Sequence, residues 1–166
     1  MVELKELSLQ DDKEIYDMIK EIGPGENGFQ NRGYYISNEN FKDYLKGNIN
    51  MSKGINLDSR YVPQTLYWLY IEDIPVGIGK IRDYLNENLK KEGGHIGYSI
   101  RPSKRGNGYG NIMLRELLKK AKDKHIDKIL ITCEDYNTPS RRVIENNKGS
   151  LLDINNHKCR YWINNL

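Results

Sequence analysis

The sequence predicts one α/β domain, a mixed β-sheet flanked by helices, spanning residues 1–166. Three observations predict it. Apolar runs short enough for strands recur through the chain, at 65–71, 94–100 and 129–133. Segments with a 3.6-residue apolar period stand between them, most clearly at 109–121. The length of 166 residues suits a single core, with no repeat, low-complexity tract or linker to divide it.

Taken in order, Val2 to Leu7 alternates apolar and charged residues, as a half-buried first strand does. Ser8 to Asp12 offers helix-start chemistry, Ile15, Met18, Ile19 and Ile22 share a helical face, and Gly23-Pro24-Gly25 stops the helix. A short helix is predicted near Asn40–Lys46, carrying Phe41, Tyr44 and Leu45. From Gly47 to Pro63 no periodicity survives. Residues 26–63 are therefore the expected acceptor-selecting loop, because long loops inside compact domains tend to carry function. Thr65–Ile71 and Val76–Ile81 read as a hairpin turning at Glu72-Asp73-Ile74-Pro75. The strand at 129–133 is expected beside the 94–100 strand in parallel pairing. Thr138 and Pro139 read as cap and first position of a helix that Gly149 ends. Leu151–Ile154 and Arg160–Ile163 close the chain as two strands, the last of them a candidate for pairing between copies in a homodimer.

The segment that organises the rest is Arg105-Gly106-Asn107-Gly108-Tyr109-Gly110, between the 94–100 strand and the 109–121 helix. Alternate glycines leave main-chain N–H groups uncovered, and a helix start behind them adds unpaired donors and the positive end of a macrodipole. Such a loop cradles a pyrophosphate, unless its glycines serve only the geometry of a tight connection. It is not a Walker A loop, since no Gly-Lys-Ser/Thr follows, nor a dinucleotide fingerprint, since residue 111 is Asn.

The loop does match Arg/Gln-x-x-Gly-x-Gly/Ala through Arg105, Gly108 and Gly110, and so resembles the acyl-CoA loop of the GNAT family of N-acetyltransferases. The order strand, glycine loop, helix, strand, Asn-x-x-Ser, helix extends the resemblance over nearly the whole second half. Ile96-Gly97-Tyr98-Ser99-Ile100-Arg101-Pro102 is particularly similar to the ribosomal-protein N-acetyltransferase branch and to bacterial acetyltransferases. The resemblance implies an acyl-CoA N-acyltransferase fold, with a central mixed sheet whose parallel strands splay apart and acetyl-CoA as cosubstrate. It implies cofactor contacts at Ile100, Arg105, Gly106, Asn107, Gly108, Tyr109, Gly110, Asn137 and Ser140. The expected activity is transfer of acetyl to a primary amine, on a small molecule or a protein N-terminus, by direct attack in a ternary complex. The alternative is a non-catalytic acyl-CoA-binding module.

An amine must be neutral to attack, whereas a free lysine amine has a pKa of about 10.4, so a base is needed. His95 is a candidate for its ordinary pKa, with the competing reading that it is a structural histidine facing away; Glu134 and Tyr98 are the other candidates. Many family members carry an acidic Tyr seven residues after the helix-starting Asn; here that position is Ile144. Ser140, Tyr136 or Tyr161 are stand-ins for the proton donor, unless the thiolate leaves unprotonated. Glu39, Asp43, Glu72 and Asp73 are the carboxylates expected to attract a cationic acceptor.

A net charge of +3 with mixed signs gives no footprint of a nucleic-acid binder. Two cysteines, Cys133 and Cys159, without CxxC spacing predict no metal site and no disulfide framework. No apolar run nears the roughly 18 residues of a membrane span, and the N-terminus lacks a leader pattern. The expected location is the cytoplasm.

Overall fold

The computed structural model describes residues 1–166. Two antiparallel sheets carry the fold. The first has the order β1-β2-β3-β4, from β1 (Val2–Glu6), β2 (Gln64–Ile71), β3 (Ile74–Arg82) and β4 (Ile96–Ile100). The second has the order β5-β7-β6, from β5 (Lys128–Glu134), β6 (Ser150–Asn155) and β7 (Lys158–Asn164).

β2 reads as a continuous apolar run because both of its faces are covered. Leu66 and Trp68 meet α1 (Lys13–Ile22) and α2 (Phe41–Ser52), whereas Tyr67 and Leu69 join the larger core under α4 (Tyr109–Asp123). α1 starts where the Asp12 carboxylate accepts the Glu14 N–H at 3.1 Å and ends at Gly23, and it buries Ile15, Met18, Ile19 and Ile22. α4 buries Met113, Leu114, Leu117 and Ala121. It sits close on β3 because Gly77 and Gly79 have no side chain: a Cβ at Gly79 would stand 2.8 Å from Leu117, and one at Gly77 2.9 Å from Met113.

Several expectations need correction. α2 runs on to Ser52, past the expected end at Lys46, since Leu45 and Ile49 pack one turn apart against the α1 layer. The cap of α5 (Thr138–Asn146) is Asn137, whose Oδ1 accepts the Ser140 N–H at 3.3 Å; Thr138 is already helical. β7 lies between β5 and β6 with both edges paired, so the final strand has no free edge to offer a second copy. β6 is the exposed edge, with Leu151, Leu152 and Ile154 each about half exposed.

The expected parallel ladder between the 94–100 and 129–133 strands does not form. Gly93 and Gly94, at φ +106° and +61°, turn the chain so that the His95 N–H reaches the Leu130 carbonyl at 2.8 Å. The Leu130 N–H, a donor the ladder would need, goes instead to His95 Nδ1 at 2.9 Å. Beyond that contact β4 and β5 part, each paired only on its far side.

Candidate active site

The parting of β4 and β5 opens a cleft of about 660 Å³, walled by β4, the glycine loop, the start of α4, β5 and the start of α5. The register of β4 decides what its backbone shows to the cleft. Arg82 N–H bonds to the His95 carbonyl at 2.7 Å and Arg101 N–H to the Val76 carbonyl at 2.9 Å. Main-chain groups alternate sides along a strand, so odd-numbered residues of β4 face β3. The N–H groups of Ile96, Tyr98 and Ile100 face the other way, onto the unpaired edge.

At the end of that edge the chain makes the glycine loop. Gly106 and Gly108 take φ +80° and +76°, and a Cβ on either would meet nothing within 4 Å. Gly108 caps α4 with no side-chain bond, so the first N–H groups of α4 stay open beside this empty space. Gly110 lines the cleft and also serves packing, since a Cβ there would stand 3.3 Å from Val143; its bareness lets α5 approach. The Arg105 Nε–H bonds to the Ile100 carbonyl at 2.9 Å, which ties the loop back to the strand end, while its other nitrogen pairs with Glu26 at 2.6 Å. Asn107 does not line the cleft; its Nδ2 bonds to the carbonyls of Lys104 and Arg105 and holds the bend. Sequence reasoning missed Lys104 and Arg142, which add positive charge to the cleft wall. Their signal was weak, since isolated basic residues near a loop or on a helix look like solvated surface.

The clamp on the loop comes from the first half of the chain. Glu21 of α1 pairs with Arg101 and accepts the Ser103 N–H at 2.8 Å. Burial raises its carboxyl pKa, but the bonds from Arg101 and Ser103 outweigh that and hold it down at about 2.

The candidate acid–base residues divide. Tyr98 lines the cleft with its hydroxyl 3.4 Å from Ser140 Oγ, and burial pushes its pKa up to about 12, so it stays a neutral donor. His95 lies outside the cleft lining: burial and Arg82 push it down to about 4, and its Nδ1 is engaged by Leu130. Glu134 is not itself part of the cleft lining and is neutralised by Lys158, which is. Tyr161 is fully buried, accepting from Arg141 at 3.0 Å and donating to Glu145 at 2.8 Å. Tyr136 is exposed outside the cleft, and Ile144, in the position of the family's acid, is sealed in the core. Cys133 is a buried thiol pushed up to about 12 by desolvation. None of Glu39, Asp43, Glu72 and Asp73 lines the cleft.

A sheet that parts beside an uncapped helix start is a fold-level feature, and it finds a counterpart among known families. The acetyltransferase (GNAT) domain family matches residues 11–149. The chain belongs to the GNAT acetyltransferase family. Its enzyme class is therefore acetyl-CoA-dependent N-acetyl transfer. No curated protein matches at the level of sequence. Solved structures share the fold at low identity. The N-acetyltransferase PseH of Campylobacter jejuni, in complex with acetyl coenzyme A, is 11% identical, covers 99% of both chains and gives a TM-score of 0.65. A RimL ribosomal L7/L12 alpha-N-protein acetyltransferase with coenzyme A is 17% identical over 98% of this chain and 93% of that one, at 0.66. An acetyltransferase of Salmonella typhimurium that modifies the N-terminal serine of L7/L12 is 18% identical over 98% and 94%, at 0.63.

Proposed function

We propose that the cleft holds acetyl-CoA and that the enzyme passes its acetyl group directly to a primary amine in a ternary complex. The observation that carries this is the juxtaposition of an unpaired β4 edge with an uncapped α4 start across one cleft. The fit is physical: the space over Gly106 and Gly108 is open, the N–H groups of α4 point at it, and Lys104, Arg105 and Arg142 supply charge for phosphates. Bound acetyl-CoA supplies the acetyl thioester. The Ile100 N–H, on the free edge, donates to the carbonyl oxygen as it gains negative charge. The walls hold amine and carbonyl together, which supplies effective molarity in place of covalent help from the protein.

Tyr98 and Ser140 are the hydroxyl pair inside the cleft, and we assign them the proton relay: as the C–N bond forms and the C–S bond breaks, one hydroxyl gives a proton to the departing thiolate and the pair takes up the proton that the attacking neutral amine loses. Asn137 sets Ser140 in place through its cap bond at 3.3 Å. His95 has no part in the proton path; it holds the strands where they separate. The proposed setting is the cytoplasm, as one domain.

Acetyl-CoA titration by calorimetry tests the cradle. Gly108→Val puts a branched Cβ into the anion space at a positive φ, so binding is expected to fall at least 100-fold. A folded variant with unchanged affinity overturns the cradle. Thiol release with a panel of amines tests the enzyme; acetyl-CoA binding with no turnover of any amine favours the binding-module alternative, which the buried Ile144 motivates.

A further inference from the structure

A second cavity of about 690 Å³ opens off the cleft, with Gly28, Lys80, Arg82, Glu92 and Gly93 lining both. Its wall carries Lys80, Arg82, Arg32 and Arg60 against a single carboxylate, that of Glu92. Glu92 is already paired with Lys158 at 2.9 Å, and Arg60 with Asp58 at 3.0 Å. The other three cations have no carboxylate within 4 Å. Lys80 is only 7% exposed; its Nζ meets the Gln30 carbonyl at 3.0 Å and the Phe29 ring at 4.4 Å. Arg82 gives one nitrogen to the Gly93 and Gly94 carbonyls, at 3.2 and 3.1 Å. Arg32 lies 5.0 Å from the Tyr61 ring.

Buried charges without partners are costly, and several of one sign around one cavity repel each other as well. The cost shows at buried Lys80 and half-buried Arg82. Burial, Arg82 and Arg32 push Lys80 down to about 7, and burial and Arg32 push Arg82 down to about 10. A ligand that brings negative charge into the cavity removes that cost. Nothing else in the structure does so.

We propose that this cavity is the acceptor site and that the acceptor is a small amine bearing an anionic group, phosphate or carboxylate. Lys80, Arg82 and Arg32 bind the anion, and the shared wall at Gly28 and Gly93 passes the amine into the cleft. This rests on the acetyltransferase reading and sharpens it. Polyamines and basic peptides are excluded as preferred acceptors, because their extra cations would add to the repulsion.

The test compares matched amines by thiol release: phosphoethanolamine with ethanolamine, glucosamine 6-phosphate with glucosamine, and 4-aminobutanoate with butylamine. In at least one pair the anionic member should show a kcat/KM at least tenfold higher, and the pair that responds tells phosphate from carboxylate. Arg32→Gln, at an exposed position, should raise KM for the anionic member about tenfold and leave the neutral one unchanged. Neutral amines equal to or better than anionic ones in every pair overturn the proposal. A second readout is independent of turnover. Inorganic pyrophosphate, titrated by calorimetry while CoA saturates the cradle, should bind to the wild type and lose its affinity in Lys80→Met. No binding to the wild type, or equal binding to the variant, overturns the proposal too. Failure of acetyl-CoA itself to bind would instead sink the reading of the cleft, leaving the pyrophosphate titration, run without CoA on the wild type and Lys80→Met, to decide the cavity.

Discussion

Two buried bases, His95 and Lys80, carry opposite lessons. His95 is ordinary in its bonding: it is buried, its Nδ1 accepts from Leu130, and it is neutral above about pH 4. The unfolded chain takes up a proton there near 6.5, so the folded state is disfavoured progressively as pH falls from about 6.5 to 4. His95→Asn keeps an acceptor near the Nδ1 position and cannot titrate. Thermal melts should then lose that acid-side decline, with acetyl-CoA affinity retained; lost affinity in a folded variant would return His95 to the site. Lys80 has a carbonyl partner in Gln30 but no counter-ion. Below pH 7 it is charged in both states and the full burial penalty stands; as pH rises through 7 towards 10.5 the folded state sheds its proton first and the penalty shrinks. Lys80→Met should therefore raise the melting temperature of the ligand-free protein, and by more at pH 6 than at pH 9. An equal gain at both would show that the amine reaches water.

Between elements, the decisive bond runs from α1 to the segment entering the glycine loop. Glu21 holds both Arg101 and the Ser103 N–H, so a helix from the first half of the chain sets the position of a loop in the second. Glu21→Gln keeps the shape and removes the charge. KM for acetyl-CoA is expected to rise several-fold with kcat little changed, because the proposed role of the loop is to bind and not to react. The same pairing stabilises the fold above about pH 4.5, and that contribution is lost as pH falls towards 2. An unchanged KM would mean that the loop keeps its position without the clamp. α4 and α5 meet through Gly110 and Val143, which keeps the two cleft-facing helix starts side by side.

For the whole molecule, function depends on two sheets that touch at one point and then separate. Gly94 is where they touch: a Cβ there would stand 2.2 Å from the Leu130 carbonyl oxygen, at a φ that side chains rarely adopt. Gly94→Ala should cost about 1–3 kcal/mol in denaturant melts and weaken acetyl-CoA binding, because the strands must part earlier. A variant as stable as the wild type would show that the contact is not the hinge of the fold.

Much of this was legible in the chain itself. Strand and helix periods gave the elements, and the spacing of Arg105, Gly108 and Gly110 gave the cradle, because local geometry suffices to expose main-chain donors at a glycine-rich bend. The motif could not say that Asn107 braces the loop while Lys104 and Arg142 face the cleft. Nor could it place Glu21 beneath a loop about eighty residues away. The cationic cavity was hidden for the same reason. Arg32, Arg60, Lys80 and Arg82 come from three stretches with no shared pattern; only the packed fold brings them to one cavity, where all but Arg60 lack a counter-ion. By itself, then, the sequence determined the elements, the family resemblance and the bare glycine loop ahead of α4, which depend on neighbours along the chain. The tertiary structure alone decided where the strands part, which bases are buried and what sign of charge lines the second cavity, since these depend on burial and on residues distant in sequence.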